Sequence, residues 1–230
     1  MREFILENGQ LIAVGIAGTE VFITLILLIL ALVRKKASIV LMFLISLGLT
    51  FDAAMIAFGG SFSDDLLMIL SKVRYVAHGL LLPLSVAVCG YVLKWEYSFG
   101  LKLCWLLSIL LCGAGAAASW FCETELVTVA DIVCYAPVES GTPEWASLII
   151  KVLPLCAMVP LTLSGLISVF RSKNPTILLG GLCMLGFSLL GALTDNKDLV
   201  FLFSLVGECL LLFFCMLHAL TAFKDEKGLL

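Results

Sequence analysis

The chain has 230 residues, of which 62% are hydrophobic and 13% are charged, and its mean hydropathy is +1.15. Soluble domains carry about 25% charged residues, so this composition excludes a soluble globular fold. The formal net charge of -3 comes with no basic stripe or polybasic tail, which excludes nucleic acid as a partner. The composition predicts a protein whose main partner is the lipid bilayer.

Seven apolar segments are long enough to cross a bilayer, which takes about 20 residues of helix. They cover roughly residues 10–33, 37–58, 66–93, 101–121, 146–169, 175–194 and 198–220. The connections are short except the one from Cys122 to Trp145. The prediction is therefore an all-α fold, with residues 1–230 forming a single integral membrane bundle of seven transmembrane helices.

The basic residues predict how this bundle is oriented. Most of them fall on one side of the predicted membrane, and these are Arg34, Lys35, Lys36, Lys94, Lys102, Arg171, Lys173, Lys224 and Lys227. Only Arg2 and Lys197 are clearly assigned to the other side. Lys and Arg are retained on the cytoplasmic side of a membrane. We therefore expect a multi-pass protein of the cell membrane with its N-terminus outside and its C-terminus in the cytoplasm.

Five ionisable residues are predicted to lie at one depth inside the bundle. Arg74 and His78 are one helical turn apart in the third span, about 12 to 18 Å from its outer end at 1.5 Å per residue. The same count places Glu20, Asp52 and Glu208 at a similar depth in the first, second and seventh spans. Four helices would thus bring these groups into one layer of the membrane.

Such a layer predicts an interior site. Each charge at a helix centre costs roughly 2.5 to 3.5 kcal/mol if it faces lipid, so the five groups should face inward. Arg74 keeps its proton and needs a carboxylate beside it. Three carboxylates then exceed one guanidinium, which favours a site for a proton, a cation or a small polar ligand. The alternative is an ion-pair network that only fixes which helices are neighbours.

Prolines and cysteines add further expectations. Pro83 in the third span, and Pro154 and Pro160 in the fifth, should kink their helices. Seven of the nine cysteines fall within spans, where they act as small apolar groups. Cys122 and Cys134 both lie in the long outer loop, where they could form a disulfide in an oxidising compartment.

The stretch "RYVAHGLLLPL", residues 74–84, and "FGG", residues 58–60, resemble the third helix of microbial rhodopsins and the turn before it. The resemblance covers about 30 of the 230 residues, and seven helices with an external N-terminus agree with it. It implies an opsin-like bundle. Ala77 stands where that family has an acid, the seventh span has no lysine to hold retinal, and the sixth lacks a tryptophan. Covalent retinal is therefore not expected, and independent convergence on seven helices stays open.

Enzymatic alternatives receive less support from the sequence. Intramembrane hydrolases of the ceramidase type hold zinc largely with histidines, but His78 and His218 lie at different depths and no HxxxH or HExxH spacing occurs. The sequence predicts no metal site and no cofactor. A metal-free lipid hydrolase using Asp52 and Glu208 as acid and base is an alternative, and a structural or partner-binding bundle is another. A transporter or sensor is the favoured prediction.

Overall fold

The protein is described by a computed structural model that covers residues 8–95, 98–192 and 197–221. The described helices are α1 (Gly9–Arg34), α2 (Ala37–Phe58), α3 (Asp64–Leu81), α4 (Leu84–Val92), α5 (Phe99–Phe121), α6 (Glu144–Ser172), α7 (Thr176–Ala192) and α8 (Lys197–Thr221). A short 3-10 turn, Gly59–Ser61, follows α2. Two strands, β1 (Thr124–Val129) and β2 (Ile132–Pro137), lie between α5 and α6. Arg2, Lys224, Lys227 and the end of the predicted sixth span, residues 193–194, lie outside the described residues.

Six membrane-length segments are present among the described residues. They are α1, α2 with its 3-10 turn, α3 together with α4, α5, α6 and α8, and each is apolar enough to cross a membrane. Helix α7 is equally apolar but shorter. Large apolar side chains such as Phe99, Phe170 and Val33 are more than 70% exposed, which suits a surface that contacts lipid. The fold is a helical bundle with the composition of a membrane-embedded protein.

The bundle is held together by two buried apolar clusters and by polar contacts between helices. One cluster is built around Leu27, Leu49 and Leu212, and a smaller one around Ala17 and Ala57. Between α1 and α2, the Thr24 hydroxyl contacts the hydroxyls of Ser46 and Thr50. Small hydroxyl residues let helices approach closely and bond across the contact.

The third span is interrupted where Pro83 stands, as the sequence predicts. Helix α3 ends at Leu81 and α4 begins at Leu84, because proline has no backbone N–H to continue the helical ladder. The Ser108 hydroxyl of α5 donates to the carbonyl of Pro83 at 3.0 Å. A neighbouring helix thus satisfies a carbonyl at the break, as a membrane interior requires. Helix α6 runs unbroken through Pro154 and Pro160.

The long loop between α5 and α6 contains an antiparallel hairpin, which the all-α prediction did not include. Strand β1 pairs with β2 from Thr124 opposite Pro137 to Val129 opposite Ile132. The two turn residues, Ala130 and Asp131, both have positive φ angles of 49° and 62°. That is the type I′ geometry that matches the twist of paired strands.

The hairpin is anchored to the ends of two helices. The backbone N–H of Ala130 donates to the Asp198 carboxylate at the start of α8, and the turn packs against Gly9 at the start of α1. A side chain at Gly9 would collide with the Ala130 carbonyl. The hairpin therefore covers the end of the bundle where α1 and α8 begin.

The possible disulfide between Cys122 and Cys134 is not formed, since both are free thiols. Cys134 lies opposite Val127 in the hairpin, and Cys122 lies five residues before Val127 in the sequence. That separation is on the order of 15 Å of extended chain, whereas bridged Cα atoms lie within about 7 Å. Burial also raises the pKa of the Cys134 thiol, which lowers its reactivity.

Candidate functional site

A cavity of about 290 Å³ lies inside the bundle, beneath the hairpin. Its lining comes from α2, α3, α5, α6, α8 and the hairpin region. The lining residues are Asp52, Ile56, Arg74, Tyr75, His78, Gly79, Leu82, Ser119, Cys122, Pro137, Ile150, Leu153, Pro154, Phe201, Ser204, Leu205 and Glu208. One part of this lining is polar and ionisable, while the rest is apolar. Cavities of this kind, with a few convergent polar groups, are typical binding sites.

Arg74 and Asp52 form a buried ion pair in the cavity wall. Nε of Arg74 lies 2.8 Å from Oδ1 of Asp52, and the two side chains are 4% and 11% exposed. The Nε–H group is not directed at that oxygen, so the contact is ionic without a well-aligned hydrogen bond. Among the three carboxylates that the sequence offers as partners, Asp52 is the one that the structure places against Arg74.

Tyr75 connects this ion pair to the hairpin. Nη2 of Arg74 donates to the Tyr75 hydroxyl, which donates in turn to the backbone carbonyl of Tyr135 at 2.8 Å. The Arg74 guanidinium also lies over the Tyr75 ring, 4.4 Å from its centroid, a cation–π contact. The arginine is therefore positioned by α2 and, through Tyr75, by the hairpin that covers the cavity.

Glu208 brings a second carboxylate to the cavity from α8. It is 4% exposed, and its Oε1 accepts a bond of 3.5 Å from the Ser204 hydroxyl one helical turn earlier. Its Oε2 is buried and has no hydrogen-bond partner among the described residues. An unpaired buried carboxylate oxygen is costly, so this atom is a ready acceptor for a ligand.

Glu20 lies near the cavity without lining it. The residue is fully buried in α1, and neither carboxylate oxygen has a hydrogen-bond partner among the residues that the structure describes. Glu20 is thus a third acidic group inside the bundle, although it does not line the cavity.

His78 completes a set of three groups with metal-ligand chemistry. It is half-buried in α3 and lines the cavity. One ligand atom from each of Asp52, His78 and Glu208 lies within 4.8 Å of the other two. Helices α2, α3 and α8 each supply one member of this set.

Two further residues that the sequence analysis weighed lie elsewhere. His218 contacts the Thr176 hydroxyl through Nδ1 at 3.0 Å, near the end of α8. Lys151 donates to the exposed carboxylate of Glu139, at 2.5 Å, in the segment that follows the hairpin. This bond and the Lys151 charge lower the pKa of Glu139. Neither contact belongs to the cavity.

Four of the five predicted residues therefore line one cavity: Asp52, Arg74, His78 and Glu208. The fifth, Glu20, is buried in α1 and does not line it. Tyr75 and Ser204 were not predicted as site residues. Ser204 could have been found, because it stands four residues before Glu208 and so shares its helix face. The sequence does single out Pro154 of α6, as a residue that should kink its helix, and Pro154 lines the cavity.

Comparisons with known proteins assign the chain to no family. No protein-family model matches the chain, and no curated protein sequence matches it. The likeness of the third span to microbial rhodopsins stays a resemblance of short motifs. Function must therefore be argued from the site itself.

Proposed function

We propose that this chain is a multi-pass membrane protein that binds or relays a proton or a small polar ligand in its interior cavity, as a transporter or sensor. The observation that carries the proposal is the partnerless Oε2 of Glu208 in a cavity that also holds the Arg74–Asp52 ion pair. Ionisable residues within membrane helices usually mark ligand or ion pathways.

The charge balance supports a positively charged occupant. Glu20, Asp52 and Glu208 are opposed by Arg74, so two formal negative charges remain when every carboxylate is ionised. An ion-pair network in which every charge is paired would leave no excess of negative charge. A proton or cation entering the cavity would lower the electrostatic cost of burying these groups.

The arrangement of the chain supports seven crossings for this bundle. The Arg34 guanidinium, at the end of α1, donates to the carbonyl of Ala219 near the end of α8 at 2.6 Å. Helix α8 begins beside the hairpin turn, at the end of the bundle where α1 begins. Asn174, just before α7, donates to Thr221 at the end of α8. Helix α7 would then be the remaining crossing, running from the end of the bundle where α8 ends to the end where α8 begins.

The test is ion flux in liposomes that contain the purified protein. With an imposed pH gradient, wild type should carry protons, alone or coupled to a solute, and Glu208→Gln should abolish the flux. Glu139→Gln, which removes an exposed carboxylate that does not line the cavity, should leave the flux unchanged. Product release from lipid extracts would support a hydrolase instead. No flux and no ligand binding, with an effect of Glu208→Gln on stability alone, would support an inert bundle.

A further inference from the structure

We propose that Asp52, His78 and Glu208 bind a divalent transition-metal ion of the Zn²⁺ type in the cavity. The inference rests on the proposed function, because it names the chemical class of the ligand that the same cavity takes. Imidazole nitrogen and carboxylate oxygen are both ordinary ligands of zinc. Three protein ligands with one open position are the usual arrangement where zinc must also meet water or a substrate.

The separation of the three groups is close to what such an ion requires. Ligand atoms at 2.0 to 2.1 Å from a tetrahedral zinc lie about 3.3 Å from each other. The three atoms here lie within 4.8 Å of one another. The remaining difference of about 1.5 Å is within the reach of side-chain rotations. Each ligand comes from a different helix, α2, α3 or α8.

Each carboxylate is held through one of its oxygens. Oδ1 of Asp52 is paired with Arg74, and Oε1 of Glu208 accepts from Ser204. The partnerless Oε2 of Glu208 is an independent sign of a missing ligand, because the atom is buried and the residue lines the cavity. Bonds of this kind orient metal ligands in known sites. Arg74 and Ser204 would therefore be positioning residues.

The charge of the region fits a divalent ion. The three carboxylates and the Arg74 guanidinium leave two formal negative charges when ionised, and a dication would neutralise them. His78 supplies the nitrogen ligand that favours a transition metal over Mg²⁺ or Ca²⁺, which prefer oxygen.

The test measures metal bound to the purified full-length protein. The protein is loaded with ZnCl₂, dialysed against metal-free buffer and analysed for zinc by mass spectrometry, and its affinity is measured by competition with a chelating dye. One zinc per chain is expected. His78→Ala and Glu208→Gln should each weaken binding by at least about 100-fold, beyond the 10- to 100-fold loss typical of residues that only orient a ligand. His218→Ala replaces the other histidine of the chain and should bind as wild type does.

A measurement with Co²⁺ needs only the wild-type protein, so its result does not depend on whether a variant folds. Wild-type protein loaded with Co²⁺ should show visible absorption bands that zinc abolishes. No retained zinc, no such bands, or equal binding by wild type, His78→Ala and Glu208→Gln would overturn the metal site. Glu208-dependent proton flux without metal binding would overturn only the metal inference. Metal binding without any flux would uphold the site and remove the case for transport.

Discussion

Arg74 determines the electrostatics of the interior, because its guanidinium stays protonated even when it is buried. Its three contacts, with Asp52, the Tyr75 hydroxyl and the Tyr75 ring, come from two helices. The contact through Tyr75 reaches the hairpin. Removing the Asp52 charge would leave this cation buried without its carboxylate.

Asp52→Asn should therefore destabilise the protein by about 3 to 5 kcal/mol, the usual cost of breaking a buried ion pair from one side. The double variant Asp52→Asn/Arg74→Met should recover most of that loss, since no unpaired charge is left. Thermal or SDS-induced unfolding in detergent would measure both. Glu125→Gln, on the exposed side of β1, is the control and should change stability by less than about 0.5 kcal/mol. Additive losses in the double variant would mean that the two side chains do not interact.

That the ionisable residues lie close together could be predicted from sequence, but their pairing could not. Counting residues from the span ends placed Glu20, Asp52, Arg74 and Glu208 in one layer. Which carboxylate meets Arg74 depends on how each helix is rotated about its axis, and the spans are apolar on all sides, so periodicity gives no rotation. For the same reason the set of Asp52, His78 and Glu208, drawn from three helices, has no signature in residue spacing.

Among the elements, α3 and α5 make a close backbone contact beside the cavity. A Cβ atom added to Gly79 would lie 2.6 Å from the carbonyl oxygen of Gly115, and a Cβ on Gly115 would also meet the Gly79 backbone. Both obstacles are backbone atoms, which cannot move aside by rotation. A glycine on each helix, Gly79 on α3 and Gly115 on α5, lets the two backbones come this close.

Gly79→Ala should therefore separate α3 from α5 and destabilise the protein by about 1 to 3 kcal/mol, the usual cost of overpacking. Gly113→Ala is the matched control on α5, because nothing lies within 4 Å of a Cβ there. Its added helix propensity should leave stability unchanged or raise it by up to about 1 kcal/mol. Unfolding in detergent compares the two, and equal stability of both variants would contradict the close contact.

The hairpin had only a partial signal in the sequence. The segment "TELVTVADIVCYAP", residues 124–137, has β-branched or aromatic residues in both strands, but its Ala-Asp turn is not one of the glycine-containing pairs that predict a two-residue hairpin turn. The position of the hairpin over the cavity could not be predicted from the sequence. That position depends on tertiary contacts with Gly9, Asp198 and Tyr75.

At the scale of the whole molecule, charge is unevenly distributed between the two ends of the bundle. Arg34, Lys35, Arg171 and Lys173 lie at the ends of α1 and α6, and Lys35 and Lys173 take the left-handed conformation that ends each helix. The other end carries the acidic hairpin. We predict that the basic end is cytoplasmic.

Labelling of introduced cysteines tests this orientation. Glu139→Cys, beyond the hairpin, should react with a membrane-impermeant maleimide in intact cells, and Lys173→Cys should react only after the cells are opened. Both positions are exposed, so labelling depends only on which side of the membrane the maleimide can reach. Labelling of the unsubstituted protein measures the background from its nine native cysteines. The reverse pattern would invert the topology, and equal labelling in intact cells would contradict an odd number of crossings between these sites.

An experimental structure of the protein in a lipid nanodisc, at a resolution that shows ordered water, would test the interior binding site directly. We expect density for water, an ion or a ligand in the cavity, within bonding distance of the Glu208 carboxylate and beside the Arg74–Asp52 pair. A dry cavity filled by apolar side chains, or Glu208 and Arg74 turned to separate surfaces, would contradict an interior binding site.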